Sequence, residues 1–95
     1  MKTLAFKMDN EKLVRISLVK EEDSVREINI SGDFFIHPEN GISLLEDAVT
    51  GKKIEKGYLK EVLDREVQDN HLELIGISTE TIEYAILEVS KEYEN

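Results

Sequence analysis

The strongest constraint on the fold is a change in hydrophobic periodicity about one third of the way along the chain. Before Gly32, apolar and polar side chains alternate in three runs, whereas after Pro38 apolar side chains recur every three or four residues in three further runs. Alternation is typical of strands with one buried face, and the longer spacing is typical of amphipathic helices. The order predicts an α+β domain with two layers, in which three helices pack on one face of a three-stranded antiparallel meander.

The three predicted strands are joined by short polar segments. The first alternates over residues 4–8, and the polar residues 9–11 are typical of a tight hairpin connection. The second alternates over residues 14–18 and the third over residues 28–30. Val25 is out of parity with the third run, so this strand either begins after Val25 or contains a β-bulge.

The three predicted helices have recognisable ends. The first carries an apolar stripe over residues 42–49, and Gly51 stands where a left-handed residue would end it. The second should run from about Lys56 to Val67. Ser78 is a natural N-cap for the third helix. Residues 72–77 are apolar without clear periodicity and are left unassigned.

Length and composition limit the class of protein. Ninety-five residues predict a single domain, residues 1–95, and 40% apolar with 35% charged residues are typical of a globular chain with a heavily charged surface. The formal charge of −9 disfavours binding to nucleic acid, and no apolar run is long enough for a membrane span, so a cytoplasmic protein is expected. The absence of cysteine excludes disulfides, thiolate chemistry and iron-sulfur ligation.

The sequence contains no recognisable catalytic constellation. His37 and His71 lack the spacing of a metal motif and are interpreted as polar loop residues, and no metal site is predicted. The acidic residues cannot be told from surface charge, and the five glycines are scattered rather than grouped in a phosphate-binding loop. The residues alone therefore indicate that this chain is not a complete enzyme.

A cluster of lysines is one candidate binding feature. Lys52, Lys53 and Lys56, with Lys60 nearby, stand at the junction of two predicted helices in an otherwise acidic chain. They are candidate contacts for an anion or a partner. The alternative is that they compensate the helix dipole and form an ordinary solvated face.

The most distinctive segment combines a glycine, a carboxylate and two adjacent phenylalanines at a strand end. It consists of Gly32, Asp33, Phe34 and Phe35. Neighbouring strand residues point to opposite faces, so at most one of the two rings can enter the core if the strand continues. The segment is either a glycine-permitted turn with core packing or an exposed aromatic loop that docks on a partner.

These residues resemble a known family. Three segments are similar to the C-terminal accessory domain of lipoate-protein ligases. They are a meander ending in residues 28–35 (Ile-Asn-Ile-Ser-Gly-Asp-Phe-Phe), a helix with residues 44–46 (Leu-Leu-Glu) and Gly51, and the helix entry at residues 76–80 (Gly-Ile-Ser-Thr-Glu). The resemblance covers roughly residues 3–90. The family's catalytic domain, with its glycine-rich pocket and catalytic lysine, has no counterpart here, so no catalytic residue is carried over.

The resemblance implies a function that requires a second chain. In this family the accessory domain can be a separate small subunit of a bipartite ligase. It is needed chiefly for the first step, in which lipoate and ATP, with Mg, form lipoyl-adenylate. The lipoyl group then passes to a lysine of an acceptor domain. The chain alone would bind no cofactor. Its partners would be the catalytic subunit and, indirectly, a lipoyl-acceptor domain. Gly32, Asp33, Phe34 and Phe35 are the predicted surface for the catalytic subunit.

Two other functions remain as alternatives. Iron-sulfur scaffold and sulfur-acceptor proteins share the small α+β architecture, but they need cysteine thiolates that this chain lacks. An acidic adaptor without an enzyme partner, whose aromatic loop binds some other protein, is the alternative that the composition allows.

Overall fold

The computed structural model describes residues 1–93, which form two small sheets and three α-helices. The elements are β1 Lys2–Phe6, β2 Val14–Glu21, β3 Ser24–Gly32, β4 Phe35–His37, α1 Gly41–Val49, α2 Tyr58–Asp69, β5 Glu73–Ile75 and α3 Thr79–Ser90, followed by a 3-10 turn over Lys91–Tyr93. No helix within these residues is long and apolar enough to cross a membrane.

The first three strands form the predicted antiparallel meander. Their order in the sheet is β1-β2-β3, and Val14 at the start of β2 lies opposite both Phe6 and Gly32. Val14, Ile16 and Leu18 are fully buried, whereas Arg15 between them is exposed. The period-2 pattern therefore places one face of the sheet in the core, as the sequence predicts.

A β-bulge explains why Val25 is out of parity. Val19 pairs with Glu27, but the next residue, Lys20, pairs with Val25, so Arg26 is the extra residue in β3. The extra residue reverses the alternation, and Val25 and Ile28 both point into the core although three positions separate them. Of the two readings of this strand, the bulge is confirmed.

The connection between β1 and β2 corrects the expected tight hairpin. It spans residues 7–13, and Met8 lies beyond the end of β1. The Glu11 N–H donates to the Met8 carbonyl at 3.1 Å, which closes a turn, but the Lys12 N–H then donates to the carbonyl of Gly76 at 2.8 Å. The end of the loop is therefore bonded to the segment before α3, and the connection is longer than a tight hairpin turn.

The helices cover one face of the sheet, which confirms the two-layer α+β fold. α1 contacts β3, α3 contacts β1 and β2, and α2 packs against α1 and α3. Gly51 follows the end of α1 with φ 82°, and the Ser78 hydroxyl accepts a hydrogen bond from the Thr81 N–H at 3.1 Å, so both predicted helix ends are confirmed.

Helix α2 begins and ends two residues later than the sequence predicts. Gly57 has φ 88° and is the N-cap, so the helix starts after it. Its first turn is held by Glu83 of α3, which is 5% exposed. One oxygen of the Glu83 carboxylate accepts from the backbone N–H groups of Gly57 at 2.8 Å and Lys60 at 2.7 Å. A side chain from another helix thus fixes where α2 begins.

Candidate functional site

The two adjacent phenylalanines have opposite environments. Phe34 is 6% exposed and belongs to the hydrophobic core, whereas Phe35 is 67% exposed. Only one ring, that of Phe34, enters the core. The prediction assumed that the strand continues through both rings, whereas β3 ends at Gly32 and Phe34 lies between β3 and β4. Phe35 is left as a large apolar side chain in contact with solvent, which is the environment of a candidate interface anchor.

Phe35 lies in a second sheet that the sequence does not predict. β4 pairs with β5 in an antiparallel ribbon, and Phe35 is directly opposite Ile75, which is 45% exposed. Directly opposite side chains share a face and lie about 5 Å apart at Cβ. Phe35 and Ile75 therefore form one exposed apolar surface, called here the aromatic patch.

Polar side chains border the aromatic patch. His37 and Glu73 form the other pair on the same face of the ribbon, because each lies two residues from a patch residue, and both are exposed. On the opposite face, Ile36 is buried and Leu74 packs against the core. An apolar centre with a polar border, carried on a ribbon anchored to the core, is the usual composition of a protein interface.

Glycine is required at Gly32 by a close backbone approach. Gly32 has φ 153°, and a Cβ added there would lie 2.0 Å from the carbonyl oxygen of Leu13. The next residue, Asp33, is exposed, and its N–H donates to the same carbonyl at 3.0 Å. Gly32 thus lets the chain turn sharply between β3 and β4, so that Phe34 enters the core and Phe35 faces outward.

The predicted lysine cluster is divided among different surroundings. The Lys53 ammonium lies 3.8 Å from the Glu55 carboxylate, and the Lys60 ammonium lies 2.7 Å from the Asp64 carboxylate. Lys56 is exposed beside α3, whereas Lys52 is partly buried. The role of Lys52, Lys53 and Lys56 as contacts for an anion or a partner stays a prediction.

The ion pair of Lys60 alters the titration of both partners. Burial opposes ionisation of Asp64, but hydrogen bonds from the Lys60 ammonium and the Thr79 hydroxyl outweigh it and hold the pKa of this carboxyl below its ordinary value. The hydrogen bond to Asp64 in turn raises the pKa of Lys60. Asp64 and Lys60 therefore remain charged near neutral pH. The ion pair lies within α2, and the hydrogen bond from the Thr79 hydroxyl to Asp64 links α2 to the start of α3.

The described residues offer no arrangement of metal ligands. Within residues 1–93, no group of three or more His, Asp or Glu side chains is placed to hold a metal ion. His37 lies on the ribbon beside the aromatic patch, and His71 follows α2 with φ 53°. Within the described residues, neither histidine belongs to a group of metal-ligand type.

Comparisons with known proteins point to one system. No protein-family model matches the chain. Lipoate-protein ligase A subunit 2 of Thermoplasma acidophilum is 46% identical over 44 residues, which are 46% of this chain and 47% of that relative. The match thus spans about half the length of the curated relative.

A solved structure extends the comparison over most of the fold. It describes an archaeal lipoylation system, a bipartite lipoate protein ligase and its E2 lipoyl domain from T. acidophilum. One of its chains matches with a TM-score of 0.72 and 26% identity, over 88% of this chain and 96% of that chain. The resemblance to the lipoate-ligase accessory domain is confirmed.

Sequence reasoning placed Phe35 in the candidate site of this accessory-type fold but missed Ile75. Ile75 lies in the apolar stretch 72–77, whose continuous run of apolar side chains hides which of them face solvent. The sequence contained one signal, the glycine that follows Ile75. In the structure Gly76 has φ 85°, a conformation that ends a short strand in a turn. Neither the comparisons nor the fold assign a role to the residues of the patch, and their contact with a partner remains a prediction.

Proposed function

We propose that this chain is the non-catalytic accessory subunit of a bipartite lipoate-protein ligase. The observation that carries the proposal is the likeness over most of the fold to a chain of a bipartite ligase system. The absence from the sequence of a glycine-rich phosphate loop is consistent with a catalytic centre on another chain. The subunit would work in the cytoplasm as a heterodimer with the catalytic chain.

The proposed reaction has two steps, both on the catalytic chain. The lipoate carboxylate attacks the α-phosphorus of ATP, which gives lipoyl-adenylate and releases pyrophosphate. The amine of an acceptor lysine, on a lipoyl domain, then attacks the lipoyl carbonyl, which forms an amide and releases AMP. ATP, with Mg, and lipoate are bound by the catalytic chain, since a net charge of −9 on the accessory subunit would repel the phosphates.

The accessory subunit would act in the first step by closing over the catalytic pocket. Closure holds the lipoate carboxylate in line with the α-phosphorus and keeps water from the mixed anhydride. The contact must then loosen so that the acceptor lysine can reach the adenylate. A small apolar patch with a polar border suits such a contact, because it gives a few strong anchors without a large permanent interface.

Replacing Phe35 with alanine is expected to weaken binding to the catalytic chain by about 2 kcal/mol, roughly thirtyfold in Kd, because an exposed aromatic anchor is removed. The melting temperature should stay nearly unchanged, since the ring is 67% exposed. Isothermal titration calorimetry measures the affinity. Tyr58→Ala is the matched control, because Tyr58 is also an exposed aromatic residue, 37% exposed at the start of α2. Equal affinities for Phe35→Ala and the wild type would exclude Phe35 as an anchor.

Preformed lipoyl-adenylate should bypass the accessory subunit. If the subunit acts in activation, the catalytic chain alone will transfer the lipoyl group from supplied adenylate to the acceptor lysine at a rate similar to that of the complex. The gain in mass of the acceptor domain, followed over time, measures transfer. A transfer rate that still depends on the accessory subunit would contradict this division of labour.

The alternative of an acidic adaptor without an enzyme partner uses the same aromatic patch. It predicts binding of Phe35 to some other protein and no effect on ligation. The ligase subunit is favoured because sequence identity accompanies the shared fold, at 26% over 88% of this chain and at 46% over 44 residues of the subunit 2 relative.

A further inference from the structure

An open cleft runs along α3 and is separate from the aromatic patch. It encloses about 990 Å³. Its sides are formed by the β1–β2 loop, the end of β2 with the turn that follows it, the connection between α1 and α2, and one side of α3. Neither Phe35 nor Ile75 lines it.

The cleft has an apolar content suited to a protein segment. Met8, Ile54, Tyr84 and Leu87 contribute to its lining, and Tyr84 is 42% exposed. Within residues 1–93, no buried side-chain nitrogen or oxygen lacks a hydrogen-bond partner. The cleft therefore combines partly exposed apolar side chains with charged and polar ones, a mixture that suits contact with a protein segment.

The charge of the cleft is predominantly negative. Six of its lining residues are carboxylates, against three lysines. Three of the six have structural partners: Glu11 accepts from the Thr81 hydroxyl, Glu83 caps α2, and Glu88 pairs with Lys91. Asp9 and Asp23 are exposed, and neither takes part in an ion pair within the described part of the chain. With twice as many carboxylates as lysines in its lining, the cleft favours a cationic occupant and disfavours phosphate groups.

The cleft is next to the aromatic patch. Ser78, at the start of α3, lines the cleft, and Ile75 of the patch precedes it by three residues. The β1–β2 loop joins the two surfaces, since Asp9 and Glu11 line the cleft while the Lys12 N–H donates to the Gly76 carbonyl at 2.8 Å. A partner that covers Phe35 is thus within reach of the cleft by a short continuation of the same contact.

We infer that the cleft along α3 receives a basic amphipathic segment of the catalytic chain, with its apolar face against Tyr84 and Leu87 and its lysines or arginines near Asp9 and Asp23. This inference rests on the proposed function for the identity of the partner. It adds a second contact to the aromatic patch, and it gives the acidic surface a role in orienting the two chains.

The test compares two double charge reversals in the full chain. Asp9→Lys with Asp23→Lys alters the cleft, whereas Asp47→Lys with Glu27→Lys makes the same change in net charge at exposed positions outside it. The Kd for the catalytic chain is measured by calorimetry at low and high salt, and thermal unfolding verifies that both variants fold. The cleft variant should bind at least about tenfold more weakly than the control at low salt, and this difference should shrink at high salt.

The other outcomes distinguish the two proposals. If the wild type binds and both variants lose the same affinity, the effect is one of net charge and the cleft is not the contact. Unchanged or tighter binding of the cleft variant would also overturn the inference, while the proposed function would stand. If the wild type does not bind the catalytic chain at all, the proposed function fails and the inference fails with it.

Discussion

Replacing Phe34 with alanine is expected to lower the free energy of unfolding by about 3–5 kcal/mol, as the removal of a buried aromatic ring does in a well-packed core. Phe34 is 6% exposed and lies in the hydrophobic core. A small domain is stable by only about 5–15 kcal/mol, so this single change should remove a large part of its stability. Urea unfolding followed by circular dichroism measures the effect as a lower midpoint with an unchanged slope.

The surroundings of Phe34 explain why neighbouring side chains should not fill the cavity that the substitution leaves. The ring lies 3.0 Å from the position that a Cβ on Gly32 would occupy, and the Phe34 Cβ lies 3.6 Å from the corresponding position on Gly76. Two glycine backbones therefore border the side chain, and neither has a side chain that could turn into the space left by the ring. Phe35→Ala is the control, with an expected midpoint like that of the wild type. A Phe34→Ala midpoint equal to that of Phe35→Ala would contradict the core assignment.

The main sheet could be predicted from the sequence because its pattern is local. Val14, Ile16 and Leu18 alternate with polar neighbours, and an alternating strand has only one way to bury its apolar side. Val25 indicated an irregularity for the same reason. Ser78 and Gly51 marked helix ends because the chemistry of capping and of left-handed backbone acts within a few residues.

The ribbon of β4 and β5 could not be predicted because its cause is not local. Each strand has three residues, too few for a periodic signal, and each is stabilised by pairing with a segment far away in the chain. Ile75 belongs to the candidate site because it lies opposite Phe35 in the ribbon. This register exists only in the folded chain. For the same reason, the sequence could limit the number of core rings to one but not choose between Phe34 and Phe35.

Two glutamates illustrate a further limit of sequence patterns. Glu46 and Glu83 lie on helices where a charged residue usually indicates a solvated face. Glu83 instead caps α2, and a Glu46 carboxylate oxygen accepts from the Ile30 N–H on the outer edge of β3 at 2.7 Å. Their partners are backbone groups of distant residues, so no spacing in the sequence identifies them. The same holds for the cleft along α3, whose sides come from four separate segments.

The largest functional effect is expected on adenylate formation. In the proposed mechanism, the accessory subunit contributes alignment and exclusion of water rather than a reacting group. Misplacement of reactants by about 1 Å can lower a rate by about a hundredfold, so loss of the closing subunit should cost at least that much. The patch and the cleft are both proposed as surfaces of contact, as expected of a subunit that acts by positioning its partner.

Pyrophosphate release from ATP and lipoate by the catalytic chain, with and without an equimolar amount of this protein, is the measurement that tests the account most directly. The catalytic chain alone should release pyrophosphate at a rate near background, and addition of this protein should raise the rate at least about a hundredfold. Phe35→Ala should require a higher concentration to reach the same rate. Equal rates with and without the protein, with both chains soluble and folded, would contradict the role of an activating subunit.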